Sequence, residues 1–476
     1  MPKIVLIEPR APDLHIYSRF KLPRLGLLIL GALMRDRGWE VDWIFEEIQK
    51  VDFKQIREAD LVGISTITST APRAYLIADR IRDEGIPVLL GGPHVTFLAD
   101  EGLQHADFVI RGEGEQALMR LIDAWEADRD FSSVPNLSYV VDGEVRHNAL
   151  GAVEEDLDRI PFPDLSALLV AGRSILGHQT IPVQTSRGCP YDCAFCSVTG
   201  MFGRGYRFRS PQNVIEELRQ YDSPKNHIFF YDDNFAANPK RLKELLLAMQ
   251  EEEFSFTWST QVRADIARRE DLVRLMRQTG CSTLYIGLES VNPLSLESMN
   301  KRQTLAQMEE ALQVFRRHHI PVHGMFVYGF DEDDWKTVRE TVRFAKRTRL
   351  SSTQFLILTP LPGSEFYRRV LKEKRLLFKD WGLFDAHHVV FKPKLLSLQA
   401  LQKAQMISHK RFYSLIQSAR KALRFRWFEV AIARYARGLN RMWKKRNKAF
   451  ISAIKLLGPQ KQARITIDFQ QKIELD

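Results

Sequence analysis

From Lys3 to about Trp125, short uninterrupted apolar runs alternate with longer stretches whose apolar positions recur every three or four residues. The short runs read as buried strands and the periodic stretches as amphipathic helices. They predict strands over 4–8, 41–45, 61–65, 87–90 and 108–110, and helices over 26–36, 71–83 and 114–127. Such alternation is the mark of a doubly wound parallel α/β sheet. Over 139–178 the pattern weakens: Asp142-Gly143 reads as a hairpin turn, and 156–164 is a proline-punctuated connector. Alternation then resumes with strands over 181–185, 228–231, 256–261, 283–288, 322–328 and 354–358, separated by helices such as 239–252, 270–279, 305–318 and 334–348. Six such units predict an incomplete (β/α)6 barrel with its chemistry at the carboxyl ends of the strands. Thr304 with Gln307 reads as a capping box, and Ser210-Pro211 as another helix start. From Leu396 onward only helical spacing is left. The division expected is an α/β domain over 1–140, a linker over 141–178, the partial barrel over 179–395 and a helical region over 396–476.

Composition adds bounds. A chain of 476 residues exceeds one comfortable core, and 45% apolar with 27% charged residues describes a globular protein. The longest uncharged apolar run, 25–34, is half of the roughly 20 residues a membrane span needs. Met1-Pro-Lys3 leads straight into a strand-like run, so no secretory leader is expected. Charge changes the picture more. The net charge is +10, but 401–476 carries 18 Lys and Arg against 4 Asp and Glu, or +14, which leaves −4 for the first 400 residues. Basicity is a property of the C-terminal helices, where Arg424-Phe-Arg-Trp427 and Arg441-Met-Trp443 mix cations with aromatics. Such helices suit the solvated face of a packed bundle, an anionic membrane surface or a phosphate backbone.

Chemistry concentrates in one stretch. Three of the four cysteines, Cys189, Cys193 and Cys196, fall in the loop Gln184-Thr-Ser-Arg-Gly188-Cys-Pro-Tyr-Asp-Cys-Ala-Phe195-Cys, just after an apolar strand. Clustered thiols in an otherwise cysteine-poor chain argue against disulfides and for a reducing cytoplasm. Soft thiolates select an iron–sulfur cluster or zinc, and a structural zinc wants a fourth Cys or His that this loop does not offer. Three ligands on a [4Fe-4S] cube leave one iron open. Cys281 stands apart at a strand start and reads as a buried thiol.

The Cys-x3-Cys-x2-Cys loop, with Gly188 before it and the aromatic Phe195 inside it, resembles the radical S-adenosylmethionine superfamily. The resemblance implies that the open iron binds S-adenosylmethionine through its amino and carboxylate groups. Around that cofactor it places Phe195, then Asp232, Asp233 and Asn234 after the second barrel strand, Ser259, Gln261 and Arg263 at the third, Glu289 at the fourth, and Pro360 in the wall beside the adenine.

The first domain, in turn, resembles the Rossmann-like cobalamin-binding domain that precedes many radical S-adenosylmethionine barrels. Ser65-Thr-Ile67 and Gly91-Gly92 are similar to the Ser-x-Leu and Gly-Gly turns that line the slot for the nucleotide tail, with Ile in place of Leu. Asp13-Leu-His15-Ile-Tyr-Ser18 matches the Asp and His of the family's Asp-x-His-x-x-Gly, which makes His15 a candidate cobalt ligand, but has Ser where the family has Gly. His94 is a second histidine of these loops, with a packing role in its turn as the plainer expectation.

Taken together the resemblance is to class B radical S-adenosylmethionine methyltransferases, the class of hopanoid and bacteriochlorophyll-pathway methylases. It implies a 5′-deoxyadenosyl radical that removes hydrogen from an unactivated carbon, methylcobalamin as methyl donor, and an electron donor such as flavodoxin or ferredoxin. The substrate expected is a small molecule, lipid-like or tetrapyrrole. A cyclase or rearrangement enzyme of the same superfamily is the alternative. A nucleic-acid-modifying enzyme is a weaker one, because relatives of that kind carry further cysteines in their first domain and none precedes Cys189 here. The expected location is cytoplasmic, with peripheral membrane contact through the tail.

Overall fold

The computed structural model describes residues 1–11, 22, 24–166 and 179–457. The first sheet has seven strands: β1 (Lys3–Glu8), β2 (Glu40–Phe45), β3 (Leu61–Ser65), β4 (Val88–Gly91), β5 (Phe108–Ile110), β6 (Leu137–Val141) and β7 (Glu144–His147). Their order is β2-β1-β3-β4-β5-β6-β7. The first five are parallel, whereas β6 and β7 add antiparallel. The purely parallel sheet expected is therefore mixed, and the hairpin assigned to the linker is its outer edge. Asp142 and Gly143, at φ 53° and 80°, supply the two left-handed positions of a tight turn between these strands. The order 2-1-3-4-5 reverses direction between β1 and β3, and ligands of such sheets sit outside the carboxyl ends at that point.

A second sheet follows: β8 (Gln179–Val183), β11 (Asn226–Phe230), β12 (Thr257–Val262), β13 (Cys281–Glu289), β14 (Val322–Tyr328) and β15 (Ser352–Ile357). All six are parallel and lie in chain order, which makes an open half-barrel. The two-residue strands β9 (Ser186–Arg187) and β10 (Arg207–Phe208) pair antiparallel across the loop that carries the cysteines. Alternation along β11 sends Ile228 and Phe230 outward toward the helices, where Phe230 stacks on Phe235 at 4.7 Å and meets Trp258 at 5.4 Å. The opposite face, with Phe229 and Tyr231, lines the inside.

Helix starts follow the sequence signals. Thr304 and Gln307 form the reciprocal capping box, and Ser210 Oγ accepts from Asn213 N–H. The C-terminal helix Leu398–Phe412 lies against the edge strand β15 and buries Leu398, Leu401, Ala404 and Phe412. Behind it, Thr353 N–H donates to Tyr413 Oη (2.8 Å), which donates in turn to Thr353 C=O (2.6 Å). Side chains thus occupy backbone groups that an open edge would offer to another strand. One apolar cluster runs from Ile4 and Leu28 of the first domain through the half-barrel to Ile454.

Candidate active site between the two sheets

The carboxyl ends of both sheets face one space, and three contacts hold them there. Arg187, two residues before Cys189, donates to Glu113 (2.7 Å) and Glu115 (2.6 Å) in the loop after β5, and Arg207 pairs with the same Glu113. All four side chains are nearly buried, and the two carboxylates hold the Arg187 guanidinium more strongly protonated than usual. The Phe97 ring lies on the bare backbones of Gly200 and Gly363; a Cβ at Gly363 would stand 2.3 Å from it. Trp381 Nε1 donates to Glu101 at 2.9 Å. Tyr231, at the end of β11, feels the charges of Arg24 and Glu8 at the end of β1.

On the barrel side the cysteine loop starts with Gly188 at φ 85°, where a Cβ would meet Gly205 C=O at 2.2 Å, so only glycine fits. The loop is then tied down by its backbone. Cys196 N–H donates to Cys193 C=O, Ala194 N–H to Met299 C=O, and Phe366 N–H to Ala194 C=O. Cys189, Cys193 and Cys196 are half-buried, and the first two lie close enough to raise the proton affinity of Cys196. Burial, aided by Asp233 and the neighbouring thiols, pushes Cys196 up to about 12. Cys189 is also raised, by burial first, while Arg263 opposes the shift. Among the described residues no group of three or more His, Cys, Asp and Glu side chains has the arrangement of a single-ion site. The donor set, three thiols on one loop, is that of a cluster with one open iron.

The other cofactor-facing candidates separate into two kinds. Asp233 faces open space yet is ringed by protein; that enclosure, then Asp232, raises its carboxyl to about 7. Asn234 is buried with its Oδ1 unpaired, an acceptor left for a ligand. Phe195 is half-buried, with its ring 6.2 Å from Phe330. Gln261 is half-exposed on the inner face of β12. Pro360 is buried in the loop after β15, which Gly363 turns at φ 86°.

Asp232, in contrast, is fully buried and spends its oxygens on Thr185 N–H (3.0 Å), Thr185 Oγ1 (3.1 Å) and Ser186 Oγ (2.5 Å). It latches the base of the cysteine loop to β11 and has no face for a ligand, which corrects its assignment as a cofactor contact. Ser259 is likewise engaged, 2.7 Å from His227 Nε2. Glu289 sits at φ 59°, a left-handed backbone uncommon for a residue with a Cβ, beside an irregularity in the β13–β14 register. Its carboxylate accepts from buried Lys301 at 2.7 Å. Arg263 donates to Lys301 C=O at 2.7 Å and stacks 3.8 Å over Tyr191 in the cysteine loop.

On the first sheet Ser65 Oγ accepts from Arg24 at 3.4 Å at the end of β3. Gly91 has nothing within 4 Å of where a Cβ would stand, an open cradle at the end of β4. Gly92, at φ 99°, would drive a Cβ to 2.4 Å from Thr66 C=O. These residues fit a bulky cofactor that approaches backbone. His94 does not fit as a cobalt ligand. It is fully buried, with Nδ1 3.4 Å from Thr68 Oγ1 and Nε2 3.2 Å from Glu101, and its ring packs edge-on against Trp381. Asp13 and His15 lie outside the described residues.

Comparison with known proteins agrees with this arrangement. The radical SAM superfamily matches residues 183–345 and the B12 binding domain residues 14–122. An uncharacterised methyltransferase of Pyrococcus horikoshii is 31% identical over 435 residues, 88% of this chain and 94% of that protein. The chain belongs to the cobalamin-binding radical S-adenosylmethionine family.

Within this family the bacteriochlorophyllide d C-12(1)-methyltransferase of Chlorobaculum tepidum is 29% identical over 90% of this chain and 91% of its own. The anaerobic magnesium-protoporphyrin IX monomethyl ester cyclase of Rubrivivax gelatinosus is 28% identical over 82% and 74%. Among solved structures, the radical S-adenosylmethionine methyltransferase TsrM from Kitasatospora setae, with cobalamin and a [4Fe-4S] cluster bound, shares the fold at a TM-score of 0.64 and 17% identity, over 78% of this chain and 75% of that one.

Several residues of this radical S-adenosylmethionine enzyme's site carried no sequence signal. Lys301 lies in Met299-Asn-Lys-Arg302, which reads as a solvated turn. Thr66 clamps the first sheet's two glycine and serine turns, its N–H and Oγ1 both donating to Gly91 C=O at 2.8 Å. Asp333 accepts from Gly329 N–H, Phe330 N–H and Ser295 Oγ, which fixes the loop after β14, and burial raises its carboxyl to about 6.

Proposed function

We propose that the enzyme methylates a carbon of a small, flat, largely apolar molecule held between the carboxyl ends of its two sheets. The observation that carries the proposal is the juxtaposition itself: the Gly91 cradle and the cysteine loop open on one space, bound together by Arg187, Glu113, Glu115 and Phe97. In this reading Cys189, Cys193 and Cys196 hold a [4Fe-4S] cluster. Asp233, Asn234, Gln261 and Phe195 contact S-adenosylmethionine, and the Ser65 and Gly91-Gly92 turns hold cobalamin. When bound, these groups supply a carbon-centred radical, an electron to start it and a transferable methyl group.

The chain's own part is to bind, orient and exclude water. Asp233 and the Asn234 carbonyl oxygen suit a cationic ammonium in a partly dry site. Arg263, anchored on Lys301 C=O and Tyr191, and Lys301, paired with Glu289, place fixed positive charge beside the cofactor's carboxylate. Deeper inside, an aromatic band offers flat apolar surface: Phe229 meets Tyr231 at 6.1 Å and Tyr285 at 5.7 Å, and Tyr285 meets His323 at 5.1 Å. That lining, with relatives named for bacteriochlorophyllide and magnesium-protoporphyrin chemistry, supports a tetrapyrrole or similarly flat ring system over a flexible acyl chain. Reducing equivalents would come from a donor such as flavodoxin or ferredoxin.

The test is anaerobic reconstitution with iron, sulfide and hydroxocobalamin, then turnover of methyl-deuterated S-adenosylmethionine with a panel of tetrapyrroles. About four irons and one cobalt per chain, deuterated methyl in the product, and both 5′-deoxyadenosine and S-adenosylhomocysteine are expected. Formation of 5′-deoxyadenosine without S-adenosylhomocysteine would replace methylation with a cyclase-type reaction. Iron without cobalt would remove cobalamin from the scheme.

A further inference from the structure

Six of the nineteen exposed large apolar side chains among the described residues fall between 415 and 428: Leu415 and Ile416 at the start of one helix, and Leu423, Phe425, Trp427 and Phe428 at the turn that follows it, all between 59% and 82% exposed. The turn joins helix Leu415–Ala422 to helix Trp427–Arg446. Its backbone is a Schellman motif, with Arg426 N–H donating to Lys421 C=O and Phe425 N–H to Ala422 C=O. The left-handed position of that motif normally falls to glycine, but here it is Phe425, at φ 57° and 82% exposed. Other helices also end on a non-glycine residue with positive φ, among them Glu253, His319, Arg349 and Lys374, and all four of these are polar, so what sets Phe425 apart is the exposed phenyl ring it carries there.

The charge around the turn specifies the partner. From 415 to 428 there are four cations and no acid; Lys421 and Arg426 pair with Glu429 just beyond, which leaves Arg420 and Arg424 as the charges uncompensated among the described residues. Arg424 and Arg426 also line a cavity of about 350 Å³ with Arg316, His319, Arg349 and Ser351, and no acidic residue lines it. Arg316, Arg349 and Arg424 have no carboxylate partner among the described residues. The cavity lies where Ile320 and Pro321 enter β14 and Leu350 and Ser351 enter β15, at the amino ends of the strands and so opposite the cysteine loop.

We propose that this end of the half-barrel docks on anionic phospholipid membranes. Leu423, Phe425, Trp427 and Phe428 enter the acyl boundary, and the arginine cavity receives a lipid phosphate. Exposed aromatics ringed by cations are the chemistry of an interfacial anchor, and an open protein surface seldom keeps so dense an apolar patch without a partner. Because the docking face lies at the far end from the cofactors, it tethers the enzyme and leaves the site facing away from the lipid.

The experiment uses the full chain, reconstituted with cluster and cobalamin, in sedimentation with vesicles of phosphatidylcholine with or without phosphatidylglycerol. Binding to the phosphatidylglycerol vesicles alone, weakened by salt, is expected. Phe425→Gly restores the residue the turn prefers, so it should melt no lower than wild type yet bind at least tenfold more weakly when combined with Trp427→Ala. Arg316→Gln and Arg424→Gln should each cost about fivefold in partition. Cleavage of S-adenosylmethionine should be unchanged in all of them, which separates this test from that of the catalytic proposal. Equal binding to both vesicle types, or none, overturns the inference. So does a change of oligomeric state in Phe425→Gly, which would make the patch a contact between copies, or binding of inorganic phosphate with no vesicle binding.

Discussion

The two rims that face each other across the site are built from opposite materials. The first sheet presents backbone and hydroxyls: Ser65, Thr66, the open cradle at Gly91 and the left-handed turn at Gly92. The second presents charged groups whose partners are already fixed: Asp232 on Thr185 and Ser186, Lys301 on Glu289, Arg263 on Lys301 C=O. A rim of glycine backbone suits a broad ligand that needs close approach along its length. A rim of pre-paired charges suits a small zwitterion whose position must be set to a fraction of an ångström, because the groups that hold it do not reorganise on binding. The two rims divide the work of one site, one giving room and the other giving aim.

Changes on either rim should therefore fail differently. The largest effect is expected from Cys196→Ala, which should lose the cluster and all 5′-deoxyadenosine formation while the first domain still takes up cobalt, read by iron and cobalt analysis of the same sample. Lys301→Met comes next. It leaves Glu289 buried without its partner, where both side chains are under a tenth exposed, and should cost about 3–5 kcal/mol in unfolding free energy. Adding Glu289→Gln should recover much of that stability but not affinity for S-adenosylmethionine; if affinity also returns, the pair is structural only.

Gly92→Ala acts on the other rim. A Cβ against the Thr66 carbonyl at φ 99° should cost about 2–3 kcal/mol and lower cobalt content at unchanged iron. Cobalt retained at wild-type level would mean that this turn is not part of the slot.

The smallest effect tests the seam between half-barrel and tail. His409 is buried against β15, and burial, with smaller contributions from His387 and His323, lowers it to about 3. Its unfolded form takes up a proton below about pH 6.5, so the stability it allows is complete above that value and falls as the solution is acidified toward 3. By pH 5 the loss is about 2 kcal/mol. Urea unfolding should show wild type losing that much more than His409→Gln between pH 7 and pH 5, and parallel curves would refute it.

Much of this was readable from one chain. Apolar periodicity placed the strands of both sheets, since a strand buried on both faces must be continuously apolar and its helix must not be. Gly92 and Gly188 were legible because a missing Cβ is a local demand. The hairpin β6–β7 was seen as a turn but not as part of a sheet, because pairing partners far apart in sequence leave no periodic trace. Asp232 was misread for a related reason, whereas His94 has the packing role that was its plainer expectation. Asp232 sits in a motif of the right type, but whether a polar side chain faces a ligand or a neighbour depends on what packs above it.

Residue identity and spacing alone determined the donor chemistry of Cys189, Cys193 and Cys196, the parallel repeats and the basic tail, since all three are properties of neighbours along the chain. Only the tertiary structure decided that the two sheets present their carboxyl ends to one space. It also decided that Lys301 is buried against Glu289, and that Phe425 and Trp427 stand out in solvent while Leu401 and Phe412, on helix Leu398–Phe412, are packed away. The physical reason is that burial and charge pairing are set by residues tens or hundreds of positions distant, and a side chain's surroundings, not its identity, determine whether it binds, latches or docks.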